Sequence, residues 1–356
     1  PFEVVPYGEL QKAKGVISKQ AGAGYVLHGG SNFSFVAVNQ LLKNGVEVYR
    51  VAGGIPGSSA AHNAGAFFVP AKGSAKTILD KAATDFGLTI SSTSKRPTGL
   101  QKISAARIAL WDTYGGSMPS GWIRWMMEQY QFDAKVIYAP DIDAGNLRSQ
   151  FDVIIFVGGA IPGVSGDAQR GGFGNIDSSR IPAEYRAQMG RITPTKSIPE
   201  LKKFAEAGGT IVTIGSSTNL AYHFNLPVRN SLTELVNGKE QRLPNDKYYV
   251  PGSILRASFD STDIGAWGMN KEADIYFSNS PVFHVAPDAI AQQQITPLIW
   301  FATDKPLRSG WAWGQEYLLD GITAFRAKIG QGSLYAFSPE ITFHGTFNLL
   351  FNRLYK

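Results

Sequence analysis

The chain has 356 residues, of which 44% are hydrophobic and seven are Trp, which excludes a disordered polypeptide and predicts two domains rather than one core. It contains no cysteine, so disulfides, thiolate metal sites and a thiol nucleophile are excluded. The net charge of +6 is scattered, with Lys95-Arg96 and Lys202-Lys203 among its densest runs, so no nucleic-acid-binding stripe is expected.

In chain order, "GYVLHGG" (24–30) predicts an apolar strand ending in glycines. A helix over 31–45 follows, capped by Ser31 or Asn32, with Phe35, Val38, Leu41 and Leu42 at helical spacing and a stop at Asn44-Gly45. "VEVYRVA" (46–52) alternates as a strand, and a second strand-then-helix pair runs through "GAFFVPAKG" and "SAKTILDKAATDFG", with Ser74 as cap and Gly87 as stop. These elements predict a small α/β domain over 1–95. "STSKRPTGLQKIS" (92–104) reads as its exit, giving a linker over 96–105 and a second domain over 106–356.

The second domain opens with a buried strand, "ARIALWD" (106–112). A helix over 118–132 carries Trp122, Met126 and Tyr130 on one side. Strands follow at 134–142 and 151–159, then a helix at 198–209 and the strand "TIVTIGSS". Continuous β-branched runs separated by helices predict a parallel sheet covered on both faces. The ligand crevice of such a sheet lies beyond the carboxyl ends of its strands, which selects Asp112, Gly158, Gly159, Ser216 and Ser217 as rim residues. A long glycine-rich insertion, 160–197, leaves the same rim and is either a functional loop or a packing lobe. From 225 to 343 the pattern is β-rich; "GSLYAFSPE" reads as a strand returning to the sheet, and 344–356 as a closing helix with Phe347, Leu350 and Leu354 inward.

Three pieces in order resemble the class I glutamine amidotransferases. "DVIIFVGG" resembles their oxyanion strand and glycine pair, "GGTIVTIGSS" their nucleophile strand and elbow, and "YAFSPE" the strand that ends in His-Pro-Glu. The resemblance implies a flavodoxin-like, class I amidotransferase-like parallel sheet with helices on both faces, plus the small N-terminal α/β domain and a β-rich C-terminal extension. It also implies that the nucleophile position falls on Ser216, or on Ser217, and that Ser338 stands where the family has histidine, with Glu340 retained. A serine hydroxyl needs a base within reach, and the residue in the base's place is itself a serine, so amidase chemistry is expected to be absent.

His344 is the substitute base nearest the rim, and a serine-type hydrolase using Ser216 with His344 is the alternative. His223 and His284 read as structural. Asp141 and Asp143 read as turn and cap residues, "GDAQRGGFGN" as no phosphate cradle, and Arg148, Arg180, Arg186, Arg229 and Arg256 as candidate carboxylate clamps. Trp311 and Trp313 share a strand face by period two and read either as core or as a stacking platform, which gives a carbohydrate- or cell-wall-binding module as a further alternative.

A broader set of short pieces in order, among them "YVLHGGSNFSFVAVNQLLKNGVEVYR", "LKKFAEAGGTIVTIGSS", "YYVPGSILR" and "HGTFNLLFN", is similar to the C-terminal portion of large secreted bacterial zinc carboxypeptidases. That resemblance implies a non-catalytic accessory module in a secreted or periplasmic protein. It would support or gate an upstream zinc peptidase domain, or bind a peptide or small polar ligand. Zinc would sit in the parent's peptidase domain and no cofactor in this chain, because none of the five histidines has a glutamate three residues on. The chain opens Pro-Phe-Glu without an initiating Met or a leader, which fits the expectation of a fragment of a longer protein. No apolar run approaches the roughly 20 residues of a membrane span.

Overall fold

The structure is a computed structural model describing residues 14–18, 22–55, 65–164, 179, 181–343 and 345–356. It divides into two compact units, Pro1–Ala105 and Ala106–Lys356.

The first unit is a six-stranded sheet in the order β1-β5-β2-β4-β3-β6. The strands are β1 (Val16–Ile17), β2 (Gly24–Leu27), β3 (Val48–Val51), β4 (Phe67–Pro70), β5 (Thr89–Thr93) and β6 (Leu100–Ile103). Helices α1 (Asn32–Lys43) and α2 (Ala75–Phe86) pack against each other. Helix α1 buries Phe35, Val36, Val38 and Leu41, and α2 buries Leu79, Ala82 and Ala83. Gly87, at φ 65, ends α2 in the left-handed conformation that a side chain resists. Arg50 is buried in this core with its guanidinium 4.2 Å from the Phe67 ring centroid.

The expected linker over 96–105 is corrected: Leu100–Ile103 is a strand whose residues pair antiparallel with β3 from Val48↔Ile103 to Val51↔Leu100. Its polar centre, Gln101-Lys102, carries no β-branched signal because it is an exposed edge, and Lys102 reaches Glu47 at 2.5 Å. The division between the units falls at 105/106.

In the second unit, β7 (Ile108–Trp111), β8 (Ala134–Ile137), β9 (Val153–Phe156), β10 (Thr210–Ile214) and β20 (Gly332–Phe337) form a parallel sheet in the order β8-β7-β9-β10-β20. Counted within the unit this is 2-1-3-4-5, the flavodoxin-like order. The chain moves one way from β7 to β8 and the other way from β7 through β9 to β10. Right-handed crossovers therefore put α3 (Met118–Gln129) and α7 (Ser197–Glu206) on opposite faces. Short helices α4 (Ala139–Asp143), α5 (Leu147–Gln150) and α6 (Ala183–Arg186) lie in the connections. Strands β7 and β9 are buried at every residue, which is why they read as continuous apolar runs.

β20 then pairs antiparallel with β19 (Ile322–Ile329), and the sheet continues through β17 (Ile295–Trp300), β14 (Ser253–Phe259) and β15 (Glu272–Phe277). Strand β16 (Phe283–Val285) joins β19 and pairs with β11 (Val228–Asn230), β18 (Leu307–Ser309) pairs with β14, and β12 (Thr233–Val236) forms a separate hairpin with β13 (Lys239–Arg242). Along β14, buried Ser253, Leu255, Ala257 and Phe259 alternate with partly exposed residues, the period-two signature of a strand covered on one face. The β-rich C-terminal extension is thus a continuation of the parallel sheet.

Two helix expectations are corrected. Helix α3 buries Ile123, Met126 and Met127, whereas Trp122 keeps 37% of its surface exposed. The closing helix is only α10 (Phe347–Phe351), packed through Phe351 against Tyr130 and Phe132, with ring centroids 4.7 and 5.1 Å apart.

At the amino ends of the parallel strands, opposite the rim, Asp152 is buried and gathers three cations. It accepts hydrogen bonds from Arg107 N (2.9 Å), Nε (3.0 Å) and Nη2 (2.9 Å), from Arg148 Nη1 (2.8 Å) and from Lys356 Nζ (3.3 Å). This ties β7, α5 and the chain's last residue to one carboxylate.

Candidate functional site

β10 ends at Ile214, and the chain turns through a 3-10 segment, Gly215–Asn219, into α8 (Leu220–His223). Register sets Ile214 beside Phe337 of β20 and Thr213 beside Phe156 of β9. Gly215, Ser338 and the 157–161 loop therefore leave three adjacent strands at one rim.

The residue at the sharp strand-to-helix turn is Gly215, at φ 60, one position before Ser216. A Cβ at Gly215 would stand 3.4 Å from the Gly158 Cα, so glycine also lets the two loops approach. Both serine hydroxyls are turned to the neighbouring loop. Ser217 has no exposed surface; its Oγ donates to Val157 O (2.5 Å) and accepts from Ala160 N and Ile161 N (both 3.1 Å). Ser216 is exposed, and its Oγ accepts from Gly159 N at 2.9 Å. The amide expected to face an oxyanion is thus bonded to a hydroxyl of the elbow itself. Ser217 cannot line a crevice, which corrects its place among the rim binding residues.

Asp112 also has a structural partner set: its Oδ1 accepts from Thr113 N (2.8 Å) and Ser117 N (2.9 Å), fixing the turn before α3. His223 Nε2 bonds Pro162 O at 2.9 Å, and because a carbonyl only accepts, that nitrogen carries a proton. His284 is exposed on β16, and His28 belongs to the first unit. His344 lies outside the described residues, as do Arg180 and most of the 160–197 insertion, including "GDAQRGGFGN". Among the described residues no hydrogen bond joins Ser216 or Ser217 to an imidazole.

Beside the rim, between the ends of β10 and β20 and the start of α3, lies a cavity of about 330 Å³. Ser338, Glu340 and Gly215 line it, with Trp122, Tyr276 and Phe343 as an aromatic wall. The sequence located Ser338 and Glu340, but set Trp122 on one helix side with Met126 and Tyr130 and did not single out Tyr276 or Phe343. Gly158, Gly159, Ser216 and Asp112 lie outside the lining. Ser338 has no exposed surface and its Oγ has no hydrogen-bond partner. Glu340 Oε1 accepts from Thr342 Oγ1 (2.5 Å) and N (3.3 Å). Burial raises the Glu340 carboxyl above the ordinary glutamate value, and the two Thr342 bonds oppose that shift.

The remaining candidates do not converge on the cavity. Arg148 pairs with Asp152, Arg229 with Glu240 and Arg256 with Asp274, while Arg186 Nε donates to Ile181 O. Asp141 accepts from Tyr138 N within its own turn, and Asp143 accepts from Ser197 Oγ at the start of α7, both structural bonds. Trp311 and Trp313 are 53% and 52% exposed, which removes the core-packing reading for them. Among the described residues there is no group of three or more His, Asp or Glu that could hold a metal, and no helix long and apolar enough to cross a membrane.

No family model and no curated protein matches the chain. Solved structures similar to it include a GMP synthase-type protein from Thermoplasma acidophilum, 12% identical, covering 70% of this chain and 92% of that one at a TM-score of 0.41. PurLQS from Thermotoga maritima is 14% identical, with 70% and 97% covered and a TM-score of 0.38. A ThuA-like protein from Bacteroides uniformis is 9% identical, with 70% and 89% covered and a TM-score of 0.38. The second unit is a flavodoxin-like fold on its strand order and register, independently of these neighbours.

Proposed function

We propose that this chain is a non-catalytic, amidotransferase-like accessory module whose rim cavity binds a small polar ligand or a peptide side chain. The observation that carries this reading is the turn itself. Glycine occupies the sharp turn, the adjacent hydroxyls are bonded to the 157–161 loop, and a serine fills the base's place. Without a base an alcohol at neutral pH is a poor nucleophile, and without a free amide at Gly159 a developing oxyanion lacks a donor.

Reaction with a serine-directed fluorophosphonate tests it. We expect no labelling above that of the Ser216→Ala variant and no glutamine hydrolysis above background. Labelling that Ser216→Ala abolishes would falsify the reading and favour a serine hydrolase.

The reading extends to context: the module serves a zinc carboxypeptidase domain that precedes it in a secreted bacterial protein. Its support is the ordered run of resembling sequence pieces. Intact mass and N-terminal sequencing of the protein from its source are expected to give a polypeptide well above the 38.6 kDa of this chain. A secreted product of that mass alone would remove the peptidase from the proposal.

A further inference from the structure

Among the described residues, the cavity beside the rim is lined by an acid and by no base. Glu340 is its one carboxylate, and no Lys, Arg or His stands among its described lining residues. Around it the aromatic wall is held in place. Trp122 Nε1 donates to Thr342 O at 2.9 Å, and its ring stacks on Trp125 at 5.0 Å. The Phe343 ring lies edge-to-face against both Trp122 (6.0 Å) and Tyr276 (5.9 Å). On the floor, Ser338 Oγ is unpartnered, and both Thr342 bonds fall on Glu340 Oε1, which leaves Oε2 open.

The carboxylate and the aromatic wall favour positive charge. A carboxylate withdrawn from water without a counter-charge is costly, and the faces of aromatic rings are negative. An anionic ligand would meet like charge with nothing to balance it. A neutral sugar would satisfy hydroxyls and stack on a ring, but would leave the carboxylate uncompensated.

We propose that this cavity binds a primary organic ammonium on a short apolar stem, the chemistry of a lysine-type side chain. Its N–H groups donate to Glu340 Oε2, and its stem lies against Trp122, Tyr276 and Phe343. A cavity of about 330 Å³ accommodates a head group and a stem of a few carbons. This rests on the reading of the chain as a non-catalytic ligand-binding module and names the ligand class for it.

Calorimetric titration of the full chain with pentylamine, pentanol and methyl glucoside tests the assignment. Pentylamine is expected to bind, with pentanol and the glucoside at least about tenfold weaker. Glu340→Gln should weaken pentylamine by about 10- to 100-fold, with an unchanged melting temperature. Wild-type affinity for the amine should fall as pH drops through the raised range of Glu340, because protonation removes the attracting charge. Tyr276 on β15 is the other titratable lining residue, α3 contributes only Met118, Pro119 and Trp122, and no charged neighbour contributes to the Glu340 shift. His344 is outside the described residues, and the Gln variant separates its titration from that of Glu340: the pH dependence should vanish in Glu340→Gln.

Equal affinity for pentanol or the glucoside, no amine binding by the wild type, or an unchanged amine affinity in Glu340→Gln overturns the proposal. If a variant fails to fold, the comparison of the three probes on the wild type decides alone. Failure here with no fluorophosphonate labelling leaves the non-catalytic reading standing, whereas labelling with amine binding removes only that reading.

Discussion

Replacing Asp152 by Ala is expected to cost the second unit about 3 kcal/mol, read as a fall of roughly 6–12 °C in its melting temperature. Asp152 is 7% exposed and accepts five hydrogen bonds from Arg107, Arg148 and Lys356. Removing it leaves cations facing one another across the amino ends of β7 and β9. The loss stays below that of a fully enclosed pair because the three partners keep access to water, with side-chain exposures of 43%, 38% and 53%. The bond from the Arg107 side chain, helped by those from Arg148 and Lys356, holds the carboxyl far below the ordinary carboxylate range, with burial opposing them.

This stabilisation depends on pH. In the unfolded chain Asp152 protonates near its usual value of about 4, whereas in the fold it stays ionised well below that. Its contribution is therefore complete above the unfolded value and is lost as pH falls from about 4 towards the folded value. Denaturant titrations of wild type and Asp152→Asn should show a constant gap from about pH 7 to 5 that closes in acid. A gap that persists at low pH would show that the carboxylate is not the source of the stability.

Ser217→Ala is expected to cost about 2–3 kcal/mol, although it removes a single oxygen atom. That oxygen bonds Val157 O, Ala160 N and Ile161 N inside the rim; alanine removes all three bonds, strips Ile161 N of this partner and leaves Ala160 N and Val157 O only their own backbone bond at 3.2 Å. Ser216→Ala, one residue earlier, should change stability by less than about 0.5 kcal/mol, because Ser216 and Gly159 are both exposed and water can replace the bond between them. In a serine hydrolase the elbow serine is dispensable for folding and indispensable for turnover. Here the stability cost should fall on Ser217, and neither variant should change any hydrolysis rate. Equal melting temperatures for the two variants would contradict the buried role of Ser217.

Much of the parallel half was legible because its strands are buried on both faces. "VIIF" (153–156) has no polar position to confuse the reading. The return of β20 was readable from the glycine that opens it and the proline after it. β6 was hidden because an edge strand needs no apolar centre, and Pro97-Thr98-Gly99 before it carries the turn residues of a linker.

The error at Trp122 has a geometric cause. Residues spaced by four advance about 40° around a helix at each step, so a Trp122, Met126, Tyr130 row drifts off any one face. The buried stripe of α3 is centred on Ile123, Met126 and Met127, which leaves Trp122 at the cavity mouth. Within "IGSS", no local signal says whether glycine or serine takes the pivot. That depends on the 157–161 loop, whose amides draw both hydroxyls aside.

The order of strands has a consequence for how the chain is made. β10 and β20 are immediate neighbours, yet every strand from β11 to β19 is synthesised between them. Until residues 332–337 leave the ribosome, β10 presents an open apolar edge and the antiparallel half cannot join it. The two halves are therefore expected to close together, late and through long-range pairing. A chain interrupted before its final strand would carry two unpaired sheet edges at once, and such a nascent species is a natural client for a holding chaperone.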